Sequence, residues 1–160
     1  MVAISEVETF QEKIKNGINE EHRVPTDIIV GDGCEVLFEN TLFEYCLLEL
    51  ISNCSEKDAS DITINVHIGR SDVGYTLTVE DNVSYEEQNI DTIIKRLNSK
   101  KPGRFGKRRQ LPCDDKYIDG EGIRASRRYF EQRGGNLIYR KSEDNRVISE
   151  AHWMVDGAQL

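Results

Sequence analysis

Glu49 and Asn53 have the spacing of two side chains on one face of a helix. The residues between them fit a helical pattern, so both project from the same polar stripe. A carboxylate and a carboxamide placed together supply oxygen atoms for proton transfer or for binding a hard cation. Such a pair by itself is also typical of a solvated helix face. Its meaning therefore depends on what the rest of the chain places beside it.

Asp81 is a carboxylate on the apolar phase of a predicted strand. Tyr75, Leu77 and Val79 share the buried phase of this strand, and Asp81 continues it if the strand persists. Burying a carboxylate is costly unless the group is paired or hydrogen-bonded. Asp81 therefore needs a specific reason to be there.

A Gly-x-Gly sequence, Gly120-Glu-Gly122, opens the last predicted helix, which ends at Gly134-Gly135. Main-chain N–H groups at the start of a helix bind phosphate, and glycines let the backbone approach the ligand closely. A lone Gly-x-Gly is a weak signal, so this motif gains weight only from its place in the chain.

A strongly basic segment lies between residues 100 and 109. It contains no acidic residue, whereas the whole chain has a formal net charge of −8. The acidic remainder would repel a long polyanion, so a small polyphosphate or an acidic protein surface suits this segment better than a nucleic acid. Its basic residues are Lys100, Lys101, Arg104, Lys107, Arg108 and Arg109.

Periodicity predicts the elements that position these residues. Apolar residues at helical spacing predict a helix from about Thr41 to Cys54, and strict alternation predicts a hairpin of residues 62–68 and 75–80. Trp153 is expected in the core of the last strand, with Ser149 on the same phase. The remaining predictions are a short N-terminal helix, strands at 27–30, 35–38, 137–141 and 147–155, a helix from Ser84 (as its cap) to Leu97, a long connection at 98–119 and a helix at 123–133.

Composition favours one soluble domain. The chain has 160 residues, of which 31% are charged and 38% apolar, and it contains neither a candidate membrane span nor a signal peptide. Its four cysteines form no CxxC pair, which argues against a structural zinc site. We therefore expect a cytoplasmic protein with buried, reduced cysteines.

In this order the motifs resemble the nucleotide-binding domain of the GHKL superfamily, which includes gyrase, sensor histidine kinases and the mismatch-repair ATPases. The family's N-box corresponds to Glu49-Leu-Ile-Ser-Asn53, and its second glycine box to the segment from Gly120 to Gly135. The histidine-kinase branch is the most similar. The resemblance covers roughly residues 25 to 155.

The resemblance implies an α+β fold. This fold is a two-layer α/β sandwich with a mixed, mostly antiparallel sheet and helices on one face. Residues 1–24 would form an N-terminal helix and connection, and residues 25–157 a single ATP-binding domain. The basic segment would belong to an ATP lid at about residues 98–119.

The resemblance also implies a role for each motif, with ATP or ADP and Mg²⁺ as cofactors. Asn53 would bind the magnesium ion, and Asp81 would accept a hydrogen bond from the adenine amino group. Glu49 would act as a general base or orient the phosphoryl acceptor. The phosphates would be bound by Gly120, Gly122, Lys107 and Arg108.

Two functions remain open. The first is a kinase-like domain that transfers a phosphoryl group from ATP to a His or Ser of a partner protein, or hydrolyses ATP. The alternative is a degenerate protein-interaction module of the same fold without ATP turnover. It is favoured by the first glycine box, where Val83 and Tyr85 replace both glycines of the family pattern Asp-x-Gly-x-Gly. Neither function involves nucleic acid or a membrane.

Overall fold

The computed structural model describes residues 12, 24–55, 57, 59–99, 109–110, 117–118 and 121–155. The predicted N-terminal helix and most of the predicted lid lie outside these ranges. In chain order the elements are β1 (Thr26–Val30), a 3₁₀ helix (Glu35–Glu39), α1 (Thr41–Ser55), β2 (Ile64–Arg70), β3 (Gly74–Ser84), α2 (Glu87–Asn98), β4 (Arg109–Gln110), β5 (Tyr117–Ile118), α3 (Glu121–Glu131), β6 (Asn136–Lys141) and β7 (Arg146–Met154).

Five strands form one mixed sheet in the order β1-β2-β3-β7-β6. β1 is parallel to β2, and every other neighbouring pair in this sheet is antiparallel. The short strands β4 and β5 pair with each other in a separate two-stranded sheet. The predicted α+β class and mostly antiparallel sheet are confirmed.

The helices and the inner face of the sheet enclose a single core. Along β2 the inward side chains are buried and alternate with exposed ones, as the sequence pattern predicts. Trp153 of β7 lies at the aromatic centre of this core, with ring centroids 4.8 Å from Phe130 and 5.8 Å from Phe43. Its predicted core position is confirmed.

The glycine pair after α3 allows the chain to return closely onto the sheet. Gly134 has a φ of +76°, which a residue with a side chain rarely adopts. A Cβ atom at Gly135 would lie 2.6 Å from the Trp153 Cα and would overlap the His152 carbonyl. These glycines therefore have a structural role at the junction of α3 and β6.

Residues 35–38 do not form the predicted strand. They belong to the 3₁₀ helix, because Leu37 and Phe38 are both buried and a strand would send adjacent side chains to opposite faces. Asn40 then caps α1, since its Oδ1 accepts hydrogen bonds from the N–H groups of Leu42 (2.9 Å) and Phe43 (3.1 Å).

Ser84 is not the cap of α2. It is the last residue of β3, and Glu86 occupies the N-cap position without a side-chain capping bond. At the other end of α2, the Asn98 side chain exchanges two hydrogen bonds of 2.8 Å with the main chain of Tyr139 in β6.

Among the described residues, none of the helices has the length and apolar character needed to span a membrane.

Two buried thiols of α1 make stability depend on pH. Burial raises the pKa of Cys46 from 9.0 to about 12 and also raises the pKa of Cys54. The folded state thus holds these protons more tightly than the unfolded chain does. Their contribution is complete below pH 9 and declines as the pH rises above it, by about 1.4 kcal/mol per pH unit for each thiol.

We therefore expect Cys46→Ala to lose stability less steeply with pH than the parent between pH 9 and 11. Urea unfolding at several pH values measures this slope. Leu47→Ala is the matched control, because it removes a buried side chain of α1 without removing a titrating group. Equal slopes for Cys46→Ala and the parent would contradict the assignment.

Candidate functional site

Asp81 lies where β3 separates from β7. It still pairs with Ile64 of β2, whereas the pairing of β3 with β7 is interrupted between Glu80 and Ser84. The Asp81 side chain is fully buried. Its Oδ2 lies 2.7 Å from the Lys57 ammonium, and its Oδ1 accepts a hydrogen bond of 2.8 Å from the Val83 N–H. One carboxylate oxygen is therefore hydrogen-bonded, and the other is held by the ion pair with Lys57 without the geometry of a hydrogen bond.

Lys57 follows the end of α1 and connects Asp81 to the surface. Its side chain is 19% exposed, and its ammonium lies 5.3 Å from the centroid of the Tyr85 ring, within the range of a cation–π contact. Burial alone would lower the pKa of Lys57, but the anionic forms of Cys54, Asp81 and Tyr85 raise it above its ordinary value. Of these three groups, Asp81 is the one whose side-chain oxygen pairs with the ammonium, at 2.7 Å.

A cavity of about 210 Å³ opens beside this ion pair, between the helices and the sheet. Its wall is mostly apolar, with a few polar side chains, which is typical of a small-molecule site. The volume is enough for a flat ring system and smaller than a drug-sized pocket of roughly 300 Å³ or more. Its lining residues are Leu50, Asn53, Cys54, Lys57, Tyr85, Ile93, Leu97, Ile123, Tyr139, Val147 and Ser149.

The two N-box residues point to different places. Asn53 is half-buried and lines the cavity. Glu49 is only 1% exposed and packs against Gly122 at the start of α3, where a Cβ atom would lie 2.7 Å from the Glu49 Cδ and would overlap its Oε2. The structure brings Asn53 to the cavity and places Glu49 in the contact between α1 and α3.

Asn53 has the chemistry expected of a magnesium ligand. Mg²⁺ prefers oxygen atoms and usually keeps several waters, so one protein ligand together with substrate phosphates is sufficient. Within the described ranges, no group of three or more His, Cys, Asp and Glu side chains forms a metal site. Among the side chains that line the cavity, Asn53 carries the oxygen best suited to such an ion.

Several predicted site residues are not described. Gly120, Lys107 and Arg108 lie outside the described residues, as does most of the predicted lid at 98–119. At the ends of that stretch, residues 98 and 99 complete α2, and the backbone of residues 109–110 pairs with 117–118. Gly122 is described, and its backbone forms part of the first turn of α3.

The altered first glycine box adopts an ordinary extended backbone. Neither Val83 nor Tyr85 is among the non-glycine residues with positive φ, so their side chains cause no strain there. The Tyr85 N–H donates to the Asn145 carbonyl at 2.9 Å. Asn82 binds Asp61 and Thr63, with its Nδ2 donating to the Asp61 carbonyl (2.9 Å) and its Oδ1 accepting from the Thr63 N–H (3.0 Å). At both positions the backbone is therefore one that a residue with a side chain readily adopts.

Sequence reasoning did not assign Lys57 and Tyr85 to the cavity, and it treated Tyr85 only as a replacement of a glycine of the family pattern. A signal for Lys57 was present, because it follows Asn53 by four positions and so continues the face that carries Glu49 and Asn53. No local signal shows that its ammonium reaches Asp81, which lies on a strand more than twenty residues later.

The packing of Glu49 against Gly122 can be tested by mutation. We expect Gly122→Ala to destabilise the protein by about 1–3 kcal/mol, the usual cost of forcing extra atoms into a packed contact. In a Glu49→Ala background the same substitution should cost little, because the side chain that it meets is shortened. Urea unfolding of the four proteins measures this coupling. Additive effects would show that the two residues do not share the contact.

Comparison with known proteins identifies the fold. No family model and no curated protein matches the sequence. Among solved structures, the chain is similar to a mycobacterial sensor histidine kinase, MprB, with a TM-score of 0.58, 10% identity and coverage of 96% of each chain. It is similar also to the nucleotide-free catalytic domain of the histidine kinase ThkA, with a TM-score of 0.59, 15% identity, and coverage of 94% of this chain and 89% of that one.

These identities are too low to transfer an activity, and the likeness concerns the arrangement of the backbone. It extends over nearly the whole length of both kinds of structure. The chain has the fold of the histidine-kinase catalytic domains.

Proposed function

We propose that the chain is a nucleotide-binding, kinase-like domain that takes up ATP or ADP with Mg²⁺ in the cavity beside Asp81. The observation that supports this most is a fully buried carboxylate, Asp81, next to a cavity lined by Asn53 and Ser149 in a histidine-kinase fold. A hydrogen-bond acceptor inside an apolar wall is suited to recognise a planar ring that carries an amino group.

Each polar group has a role in this proposal. Asn53 contributes an oxygen to magnesium, and Asp81 accepts a hydrogen bond from the adenine amino group. The start of α3 at Gly122, together with Gly120, Lys107 and Arg108, binds the phosphates. When bound, magnesium neutralises the charge that develops on the phosphates during transfer.

Glu49 would orient the phosphoryl acceptor or a water molecule. Its burial against Gly122 means that this role requires α1 and α3 to part at their contact. The acceptor would be a His or Ser of a partner protein in the cytoplasm, or water. Phosphoryl transfer needs mainly positioning and charge stabilisation from the protein, which this set of groups can provide.

A specific observation favours a second candidate, a protein-interaction module without ATP turnover. Both oxygens of Asp81 are already engaged, by Lys57 and by the Val83 N–H, and the Tyr85 ring stands over the Lys57 ammonium. A nucleotide would have to replace a buried ion pair rather than enter an open site. In this candidate the fold is kept for a protein partner alone.

Calorimetric titration with ATP and ADP, with and without magnesium, distinguishes the two candidates. A nucleotide-binding domain should bind ATP better with magnesium and should prefer ATP to GTP. Asn53→Ala should abolish the gain from magnesium, because it removes the protein ligand. Asn65→Ala, on the exposed face of β2, is the matched control and should behave as the parent.

Absence of nucleotide binding at millimolar ATP in the parent would favour the interaction module. Binding that is indifferent to both magnesium and Asn53→Ala would show that Asn53 is not the metal ligand.

A further inference from the structure

Lys57 is paired with the Asp81 carboxylate, the group of the site that a nucleotide base would need. Its ammonium lies 2.7 Å from Asp81 Oδ2, and the Asp81 side chain is fully buried. Lys57 lines the cavity, whereas Asp81 is not part of the lining. A ligand in the cavity therefore meets Lys57 first and reaches Asp81 only if the ammonium moves away.

The two partners differ in their freedom to move. Asp81 belongs to the central strand β3, where it pairs with Ile64 of β2 and accepts the Val83 N–H. Lys57 lies beyond the end of α1, and its long side chain is partly exposed to the cavity. If the pair opens, Lys57 is the partner that leaves, and its ammonium then lies in the cavity beside the ligand.

The Tyr85 ring favours the closed arrangement. It lies 5.3 Å from the Lys57 ammonium and stabilises the charge in the position next to Asp81. Tyr85 stands where the family pattern has a glycine, so a ring at this position is a feature of this chain. In the closed arrangement the Lys57 ammonium thus contacts both Asp81 and Tyr85, and no ligand is needed to neutralise the charges.

We propose that Lys57 is a specificity-determining residue, an internal competitor for Asp81 that admits a base only when the ligand also carries an anionic group. The inference rests on the proposed nucleotide site and deepens it. A neutral nucleoside that displaces Lys57 leaves an ammonium without a counter-charge in a low-polarity cavity, which is costly. A nucleoside triphosphate supplies that counter-charge, so the cavity selects for the phosphate-bearing form.

The test compares adenosine with ATP in the parent, in Lys57→Met and in a control. Methionine keeps most of the length of the side chain and removes its charge. We expect Lys57→Met to bind adenosine about tenfold more tightly than the parent and to show a smaller preference for ATP over adenosine. Lys141→Met is the control, because Lys141 is an exposed lysine whose ammonium pairs with Asp91 at 3.1 Å on a different part of the surface.

A second measurement tests the ion pair without any nucleotide. Urea unfolding of the parent, Lys57→Met, Asp81→Asn and the double variant should show strong non-additivity, because each single change leaves one polar partner without the other. Additive effects would overturn the ion pair and the inference with it.

Each result of the binding test decides the matter. Tighter adenosine binding by Lys57→Met, with a smaller preference for ATP than the parent shows, supports the inference. If the parent binds no nucleotide while Lys57→Met binds adenosine, Lys57 excludes the base whatever the ligand's charge, and both the proposed function of the parent and the selection by an anionic group are overturned. If the parent binds ATP and Lys57→Met binds adenosine no better, the inference is overturned while the proposed function stands. If neither protein binds adenosine or ATP, both are overturned.

Discussion

The organisation of the site depends on a carboxylate that has no access to water. Asp81 lies on the inner face of the central strand, at the interruption between β3 and β7, and a charge there is costly unless it is paired and hydrogen-bonded. The Val83 N–H donates a hydrogen bond to one oxygen, and the Lys57 ammonium lies 2.7 Å from the other as its counter-charge. The position of Lys57 after α1 provides the counter-charge that this buried carboxylate needs.

α1, which precedes Lys57 in the chain, contacts the core, the cavity and α3. Its apolar stripe packs in the core, Asn53 faces the cavity, and Glu49 contacts the start of α3 at Gly122, where a side chain would not fit. At the other end of α3, the glycine pair returns the chain closely onto β7. Close packing therefore explains Gly122 and Gly135, a positive φ explains Gly134, and phosphate binding is a further role that the proposed function adds to Gly122.

The fold of this chain does not by itself determine its function. The likeness to histidine-kinase catalytic domains covers nearly the whole chain at 10–15% identity, so it establishes the backbone arrangement and leaves the chemistry to the site itself. In the site, the acceptor that a base would use is already bound to Lys57. In the proposed function, the chemistry would depend on a competition between Lys57 and the base for Asp81, which the likeness of the backbones does not address.

The sequence by itself determined the elements whose signals are local. Helical spacing predicted α1, strict alternation predicted the β2–β3 hairpin, and the inward phase predicted that Trp153 is buried, because these patterns follow from the period of the element. The same patterns also placed Asn53 on a polar face and Asp81 among buried side chains. The local signals at residues 35–38 and at Ser84 were misleading, since packing of Leu37 and Phe38 and the extension of β3 outweighed them. Only the tertiary structure decided that Glu49 turns to α3 and that Lys57 reaches Asp81. These contacts join residues far apart in the chain, and their geometry depends on how the helices and the sheet pack together.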